Sequence, residues 1–263
     1  MSNEQAIGVF DSGIGGMTVV RALLQELPHE NIVYFGDTAR VPYGPKSPQV
    51  VREYALQDTE ILLQHNVKMI VVACNTVSAV ALDVVQKRAK IPVIGVILPG
   101  AEAAVQISRK KRIGVIGTVG TIASNAYTTA IHHIDASVKV FGQPCPLFVP
   151  LAEEGWIDHK ATELIAKEYL FPLTLEKIDT LVLGCTHYPF VIPLIQEIAG
   201  PGVRVIDPAP AVARQAARLL QAASLESGPQ DAPGRVRYYT SANPHALQDL
   251  LPDLLGCSLE QLW

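Results

Sequence analysis

Two cysteines in matching local sequences are the residues best placed to do chemistry. Cys74 and Cys185 each end an apolar run, and each is followed by two polar residues. In parallel α/β sheets, ligands bind beyond the carboxyl ends of the strands, where the next helix begins with free N–H groups and the positive end of its dipole. The same position lowers the pKa of a thiol. We therefore expect each cysteine to be able to serve as a base.

The number of active cysteines decides between two reaction types. A single activated cysteine beside His187 would favour acyl transfer, in which a thiolate attacks a carbonyl carbon. Two equivalent cysteines facing one another would instead favour inversion at a carbon centre, because one thiol could remove a proton and the other could return one to the opposite face. The α-proton of an amino acid is much less acidic than a thiol. Such a site would have to stabilise the carbanion through fixed dipoles and exclusion of water.

Metal and cofactor chemistry have little support in the sequence. Zinc sites usually pair their ligands at Cys-x-x-Cys or His-x-x-x-His spacings, and His187 and the two cysteines lack both. We predict that His187 donates to a bound carboxylate or holds a proton near Cys185, with a solvent-facing loop histidine as the alternative. No signature of a pyridoxal-phosphate lysine is present. Cys145 and Cys257 are interpreted as small core residues.

A loop containing three glycines, residues 11–16, follows the first apolar run and allows close approach of a ligand to the backbone. The alternative interpretation is a dinucleotide-binding fingerprint. Asp37 supports it, because it lies about 20 positions beyond the last glycine, where a ribose-binding acid would lie. However, Thr18 replaces the third glycine of the fingerprint, and Asp11 would place a negative charge beside the pyrophosphate. We favour a different ligand.

Short segments rich in valine and isoleucine alternate with amphipathic segments along the chain. Strands are predicted at residues 7–10, 32–35, 69–73, 93–96, 113–116, 138–141, 180–183, 203–206 and 236–239. Helices are predicted at residues 19–26, 49–65, 79–88, 123–132, 161–169, 191–198 and 212–222. This alternation is typical of an α/β protein with mainly parallel sheets.

Two sequence echoes in the same order indicate two related lobes. Residues 7–13 resemble residues 113–119, and the segment around Cys74 resembles the segment around Cys185. We expect two pseudo-symmetric lobes, each a mainly parallel sheet flanked by helices, with the active site in the cleft between them. Apolar strands alone would not align one cysteine with the other.

We predict that the chain crosses between the lobes at two segments. One contains a proline and a glycine, and the other contains two prolines. They are residues 97–100 and 207–210, where the alternation of strands and helices is interrupted. The first lobe is therefore predicted to comprise residues 1–97 and 208–263, and the second to comprise residues 98–207.

The composition limits the partners. The 263 residues are 49% hydrophobic with a net charge of −4 and a pI near 6.0, so the chain lacks the broad basic surface that nucleic acid requires. A small-molecule substrate is expected instead. Residues 1–5 are polar and acidic, unlike a secretion signal, and the most apolar stretch, residues 67–85, is interrupted by polar side chains. We expect a soluble cytoplasmic protein without a membrane span.

Six motifs, taken together, resemble the aspartate/glutamate racemase family, and within it the glutamate racemases. They are residues 10–16, residues 36–38 with 42–44, residues 73–76, residues 117–118 with 121, residues 150–153 and residues 184–189. They span nearly the whole chain. The resemblance implies a cofactor-independent enzyme that interconverts L-glutamate and D-glutamate and supplies D-glutamate for bacterial peptidoglycan. It also implies a homodimer, since family members commonly dimerise.

The resemblance further implies roles for individual residues. Cys74 would remove the α-proton of D-glutamate and Cys185 that of L-glutamate, each reprotonating the carbanion that the other forms. Asp11, His187 and Glu153 would assist them. The residues implied to hold the substrate are Asp11, Ser12, Tyr43, Gly44, Asn75, Thr76, Thr118, Thr121, Thr186 and His187.

The residues also allow other functions. Paired cysteines do not fix the substrate side chain, so racemisation of aspartate or of a hydantoin is an alternative. A nucleotide-binding module that uses residues 11–16 and Asp37, or a protein-binding regulator that keeps the fold, are alternatives from other classes.

Overall fold

Nine strands form two sheets in the computed structural model, which describes residues 4–228 and 233–242. Within those residues the strands are β1 Ile7–Asp11, β2 Ile32–Gly36, β3 Met69–Val72, β4 Val93–Gly95, β5 Arg112–Gly117, β6 Lys139–Pro144, β7 Thr180–Gly184, β8 Arg204–Ile206 and β9 Val236–Thr240. All nine predicted strands are confirmed, with ends that differ by at most about three residues, as expected for such boundaries.

The strand order explains the sequence echoes. The first sheet has the order β4-β3-β1-β2-β9 and the second has the order β6-β5-β7-β8, and all pairs are parallel. When the two sheets are compared, β1 corresponds to β5 and β3 to β7, which are the strands that carry the two echoes. The predicted fold of two pseudo-symmetric α/β lobes is confirmed.

Helices cover both faces of the sheets. They are α1 Met17–Glu26, α2 Pro48–Gln64, α3 Asn75–Val80, α4 Leu82–Ala89, α5 Ile97–Ile107, α6 Val119–Ala123, α7 Ala126–Ile134, α8 Phe148–Glu153, α9 Lys160–Leu175, α10 Ile192–Ala199 and α11 Ala209–Ala222, with a 3₁₀ turn at Tyr188–Val191. The helix predicted at residues 79–88 is divided at Ala81. The helix predicted at residues 123–132 is divided near Asn125, whose φ of 56° is left-handed.

The first predicted crossing between the lobes is helical rather than a loop. Residues 97–100 form the first turn of α5, where the missing N–H of Pro99 costs no intrahelical hydrogen bond. Gly100 allows close packing there, because a Cβ would lie 3.2 Å from both the Pro208 side chain and the Tyr127 hydroxyl. The predicted interruption of the alternation of strands and helices was wrong here, because proline and glycine are also tolerated where a helix begins.

The chain leaves the first sheet after β4 and returns to it in β9, which pairs with β2. At the second predicted crossing, Asp207 precedes α11 and its Oδ1 accepts a hydrogen bond of 2.9 Å from the Ala209 N–H. The exact divisions at residues 97/98 and 207/208 stay predictions. Residues 1–3, 229–232 and 243–263 lie outside the described residues, and so does Cys257.

One apolar cluster is continuous through both lobes. It contains side chains from α1, α5, α7 and α11 and from strands of both sheets, including Met17, Ala101 and Ile131. Two further clusters lie under α2, α3 and α4 in the first lobe and under α9 and α10 in the second. Within the described ranges, no helix has the length and apolar character that crossing a bilayer requires.

A buried ion pair ties the segment after α11 to the first sheet. Lys68 and Glu30 are almost completely buried, with Nζ and Oε2 2.6 Å apart. Glu30 also accepts hydrogen bonds from the backbone N–H and the hydroxyl of Ser227, at 2.7 and 2.8 Å. Removing one partner of a buried pair leaves the other charge without compensation.

Lys68→Met is therefore expected to lower the free energy of unfolding by about 3–5 kcal/mol. The control is Lys87→Met, because Lys87 is 79% exposed and pairs with Asp83 at 3.9 Å. An exposed pair of this kind contributes about 0–1 kcal/mol. Urea denaturation of both variants measures the difference, and equal losses would contradict the assignment.

Candidate active site

Both cysteines line one narrow cavity at the carboxyl ends of the two sheets. Cys74 follows β3 at the N-cap of α3, and Cys185 follows β7. Their exposed fractions are only 4% and 7%. The cavity is lined by Ser12, Pro42, Tyr43, Gly44, Cys74, Asn75, Thr76, Thr118, Val149, Cys185, Thr186 and His187. Most of the predicted site residues are therefore brought together.

Three predicted site residues do not line the cavity but contact side chains that do. Asp11 contacts Thr186, Thr121 contacts Thr76 and Thr118, and Glu153 contacts His187. Two lining residues, Pro42 and Val149, were not predicted. Pro42 begins the motif at residues 42–44, and Val149 directly precedes the motif at residues 150–153. Their closeness to these motifs in the sequence is the one signal that could have indicated them.

Burial has the largest effect on the pKa of Cys74. Its Sγ lies 3.6 Å from the Ser12 hydroxyl oxygen. Burial and the negative charge of Asp11 raise the pKa of Cys74 to about 12, although the Val77 N–H and the Ser12 hydroxyl partly offset them. The expectation that a helix start lowers the pKa of this thiol was wrong in the free protein. Helix α3 has only six residues, and removal from water outweighs its dipole.

Cys185 belongs to a different electrostatic environment. His187 Nδ1 lies 3.9 Å from the Cys185 Sγ, and its Nε2 lies 2.5 Å from Oε1 of Glu153, which ends α8. Burial lowers the pKa of His187, but the hydrogen bonds and charges of Cys185 and Glu153 outweigh burial and raise it to about 10. His187 therefore carries a proton at neutral pH beside Cys185.

Asp11 organises the loop between β1 and α1. Its Oδ2 accepts hydrogen bonds from the backbone N–H groups of Gly13 and Gly16, at 3.2 and 3.0 Å. The hydroxyl of Thr186, from the other lobe, lies 3.3 Å from the same oxygen. Burial raises the pKa of Asp11, and the charge of His187 and the glycine N–H groups oppose that rise.

This arrangement argues against the dinucleotide alternative. Two of the loop N–H groups that a pyrophosphate would need already bind the Asp11 carboxylate. Asp37, the proposed ribose ligand, is fully buried and accepts hydrogen bonds from Arg40 and Tyr43. Neither acid is free to contact a nucleotide.

Hydroxyl and amide groups from the two lobes meet across the cavity. Thr76 of the first lobe lies 2.9 Å from Thr118 and 3.3 Å from Thr121 of the second, measured between hydroxyl oxygens. The Tyr127 hydroxyl donates to Asn75 Oδ1 at 2.8 Å. The contact at Gly15 is close enough that a Cβ there would lie 2.5 Å from the Thr186 hydroxyl oxygen.

Other groups in the described ranges do not add a second chemistry to this cavity. Among those residues, no set of three or more histidine, cysteine, aspartate or glutamate side chains could hold a metal ion. Cys145 is a buried free thiol, as predicted for a core residue, and its Sγ lies 3.6 Å from the Gln143 carbonyl oxygen.

One thiol from each of two pseudo-symmetric lobes, with polar groups from both lobes between them, defines the class of an acid-base enzyme that acts on a small polar substrate. Comparison with known proteins identifies the family. The model of the Asp/Glu/Hydantoin racemase family matches residues 7–216, and the chain belongs to that family. The resemblance inferred from the motifs is confirmed, and so is the expectation of an enzyme.

Close relatives agree with this assignment. A glutamate racemase from Chlorobaculum tepidum is 59% identical over 226 residues, which cover 86% of this chain and 83% of the relative. The structure of a glutamate racemase from Bacillus anthracis superposes with a TM-score of 0.93 at 40% identity, covering 97% of this chain and 96% of that one. A glutamate racemase from Francisella tularensis in complex with D-glutamate superposes with a TM-score of 0.90 at 40% identity, covering 97% and 95%.

The pairing of His187 with Glu153 is directly testable. Glu153→Gln removes the charge that helps to hold the His187 proton, so the pKa of His187 is expected to fall from about 10 toward its ordinary value. Glu154→Gln is the control, because Glu154 is the exposed neighbour of Glu153 in sequence. An NMR titration of the imidazole signals measures both variants. An unchanged His187 titration in Glu153→Gln would refute the pairing.

Proposed function

We propose that the protein interconverts L-glutamate and D-glutamate without a cofactor, with Cys74 and Cys185 as its two acid-base groups. The observation that carries the proposal is the position of the thiols at corresponding ends of β3 and β7, in one cavity. Membership of the racemase family and the D-glutamate bound by the Francisella tularensis relative support the choice of reaction and substrate.

Two thiols on opposite sides of one carbon suffice for racemisation. Starting from L-glutamate, the Cys185 thiolate takes the α-proton and the electron pair of the broken C–H bond stays on the carbon. The planar carbanion then takes a proton from the Cys74 thiol on its other face. The reaction leaves D-glutamate, a Cys185 thiol and a Cys74 thiolate, and the reverse reaction follows the same steps backwards.

The electrostatics of the free site favour one starting state. Burial and Asp11 keep the proton on Cys74, whose pKa is raised to about 12. Cys185 instead lies beside His187, whose Nδ1 is 3.9 Å from the sulfur. The site is thus prepared to donate a proton from Cys74, as the reaction that starts from L-glutamate requires. For D-glutamate, the proton of Cys74 must first pass to Cys185, so that Cys74 becomes the base and Cys185 the acid.

The remaining polar groups fit the charges of glutamate. Hydroxyl and amide side chains that can donate to carboxylates surround the thiols, and a carboxylate can accept several such bonds. The two thiols are almost completely buried, and interactions with the developing carbanion are stronger where water is excluded. The residues proposed to hold the substrate are Asp11, Ser12, Tyr43, Gly44, Asn75, Thr76, Thr118, Thr121, Thr186 and His187.

The cellular role follows from the product. D-glutamate is a building block of bacterial peptidoglycan, so we propose that the enzyme supplies it for cell-wall synthesis in the cytoplasm. We also propose a homodimer, on the basis of the family resemblance. Sedimentation of the purified protein measures the oligomeric state, and a monomer at all concentrations would exclude the dimer.

Incubation of the purified protein with L-glutamate in heavy water, without added cofactor, tests the reaction. We expect optical activity to be lost and deuterium to appear at the α-carbon, because the proton returned by Cys74 comes from solvent. L-aspartate and a hydantoin are assayed in parallel, since the family description includes them. Faster turnover of either would reassign the substrate, and absence of exchange on all three would exclude racemisation.

Replacement of single cysteines tests the two-base scheme. Cys74→Ser and Cys185→Ser are each expected to lower the racemisation rate by about 10²-fold or more, because each removes one acid-base group. Cys74→Ser should still exchange the α-proton of L-glutamate without inversion, and Cys185→Ser that of D-glutamate. Cys145→Ala is the control. Unchanged turnover in either active-site variant would contradict the scheme.

A further inference from the structure

Two buried carboxylates, Asp37 and Asp58, lie on either side of one tyrosine hydroxyl. Asp37 follows β2 and Asp58 lies in α2, and both are fully buried. The Tyr43 hydroxyl makes a short hydrogen bond to Asp37 Oδ2 and lies 3.1 Å from Asp58 Oδ2. Arg40 binds Asp37 through Nε and binds Asp58 Oδ1 through Nη2 at 3.1 Å.

The hydrogen bonds cannot be satisfied if both carboxylates are ionised. A tyrosine hydroxyl has a single proton, so it can donate to only one of the two oxygens that it faces. If it donates to Asp37, then Asp58 Oδ2 points a lone pair at the tyrosine oxygen. A proton on Asp58 resolves this conflict, because Asp58 then donates to Tyr43 while Tyr43 donates to Asp37.

The number of donors indicates which acid carries that proton. Asp37 accepts hydrogen bonds from Arg40 and Tyr43 and also from the Ser241 hydroxyl, at 2.7 Å. Among the described residues, Arg40 is the one full donor to Asp58. Three donors stabilise an ionised carboxylate, whereas one donor and complete burial favour the neutral acid.

The surrounding charges agree with this assignment. Arg40 is the one cation of the cluster among the described residues, and it can neutralise one carboxylate but not two. Burial and the charge of Asp37, with a smaller effect of Asp11, raise the pKa of Asp58 to about 8 against the opposing effects of Arg40 and Tyr43.

The charges of α4 do not alter this balance. They are paired on the exposed side of α2, Asp83 with Arg52 and Lys87, and Arg88 with Glu60. The Arg40 guanidinium itself is stacked 4.1 Å above the ring of Tyr54, also in α2. Of the other elements that pack on α2, β1 ends in Asp11 and β2 is followed by Asp37, and the charges of both acids contribute to the raised pKa of Asp58.

The tyrosine in this cluster belongs to the cavity wall. Tyr43 and Gly44 both line the cavity. The Gly44 carbonyl accepts a hydrogen bond of 3.0 Å from the Gly120 N–H of the second lobe, and a Cβ on Gly44 would lie 2.6 Å from Thr118. The position of this segment therefore determines how the first lobe meets the second at the substrate site.

We propose that a proton shared between Asp58 and Tyr43 holds the segment Tyr43–Gly44 against the second lobe. Asp37 and Asp58 are thus positioning residues of the active site. This proposal rests on the proposed glutamate racemase function. When Asp58 ionises at alkaline pH, one buried acceptor loses its partner and the segment is released, so substrate binding weakens while the acid-base groups themselves remain in place.

Steady-state kinetics from pH 7 to 9.5 test the effect on binding. Between pH 7 and 9.5, the ratio of the native enzyme's KM for glutamate to that of Asp58→Asn is expected to rise by about fivefold or more. A fivefold change corresponds to the lower end of the cost of leaving one buried acceptor unsatisfied. In Asp58→Asn the amide donates to Tyr43 at every pH, so the contribution of Asp58 to the rise disappears. Titration of the thiols and the substrate amine affects both enzymes alike and cancels in the ratio.

Asp83→Asn is the matched control, because Asp83 is exposed and remote from the cavity, and its pH profile should follow that of the native enzyme. A merely structural role of Asp58 would change KM or kcat by the same factor at every pH. Identical pH profiles for the native enzyme and Asp58→Asn would overturn the proposal.

Infrared spectroscopy of the substrate-free protein tests the proton without any assay of activity. A carboxylic acid C=O band is expected at pH 7, lost by pH 9.5, absent in Asp58→Asn and shifted in Tyr43→Phe. Absence of the band at pH 7 would overturn the shared proton even if the protein racemises glutamate. Presence of the band in a protein that fails to racemise glutamate would reject the function and leave the proton assignment standing.

Discussion

Burial of ionisable groups between two lobes is the constraint on which the site depends. A carboxylate or an imidazolium removed from water is stable only when neighbours supply hydrogen bonds or opposite charge. Asp11 obtains them from two glycine N–H groups of its own loop and from Thr186 of the other lobe. His187 obtains them from Glu153 and Cys185. Because the partners come from different elements, the site exists only when both sheets are formed and in contact.

The two lobes combine a symmetric backbone with asymmetric side chains. Corresponding strands bring Cys74 and Cys185 to one cavity, as the proposed proton transfer on two faces of one carbon requires. The neighbours differ, since Cys74 lies beside Ser12 and near Asp11 while Cys185 lies beside His187. Inversion needs one acid and one base in each direction. In the proposed mechanism, different surroundings distinguish the two thiols, whereas identical surroundings would not.

Much of this architecture is encoded locally. Each buried parallel strand is a short apolar run between turn residues, so the strands could be predicted from the sequence, and the echo around Cys74 and Cys185 gave the pairing of the lobes. The interruption of the alternation predicted at residues 97–100 was wrong because local signals do not distinguish a loop from a helix with proline in its first turn. The raised pKa of Cys74 could not be foreseen, since it comes from burial and from Asp11, 63 positions away in the chain.

Asp58 could not be recognised from the sequence either, because its role depends on contacts that only the fold creates. It lies in the middle of an ordinary amphipathic helix, and only the fold brings it to Tyr43 and Asp37. Without a substrate, the polar groups of the cavity form hydrogen bonds with one another, as the hydrogen bond between Thr76 and Thr118 illustrates. Under the proposed function, glutamate would replace these contacts with charge-assisted hydrogen bonds to its carboxylates, which are the stronger kind. Binding therefore gains most when the cavity wall stays in position during the exchange, and a buried cluster outside the cavity can hold the wall without competing for the substrate.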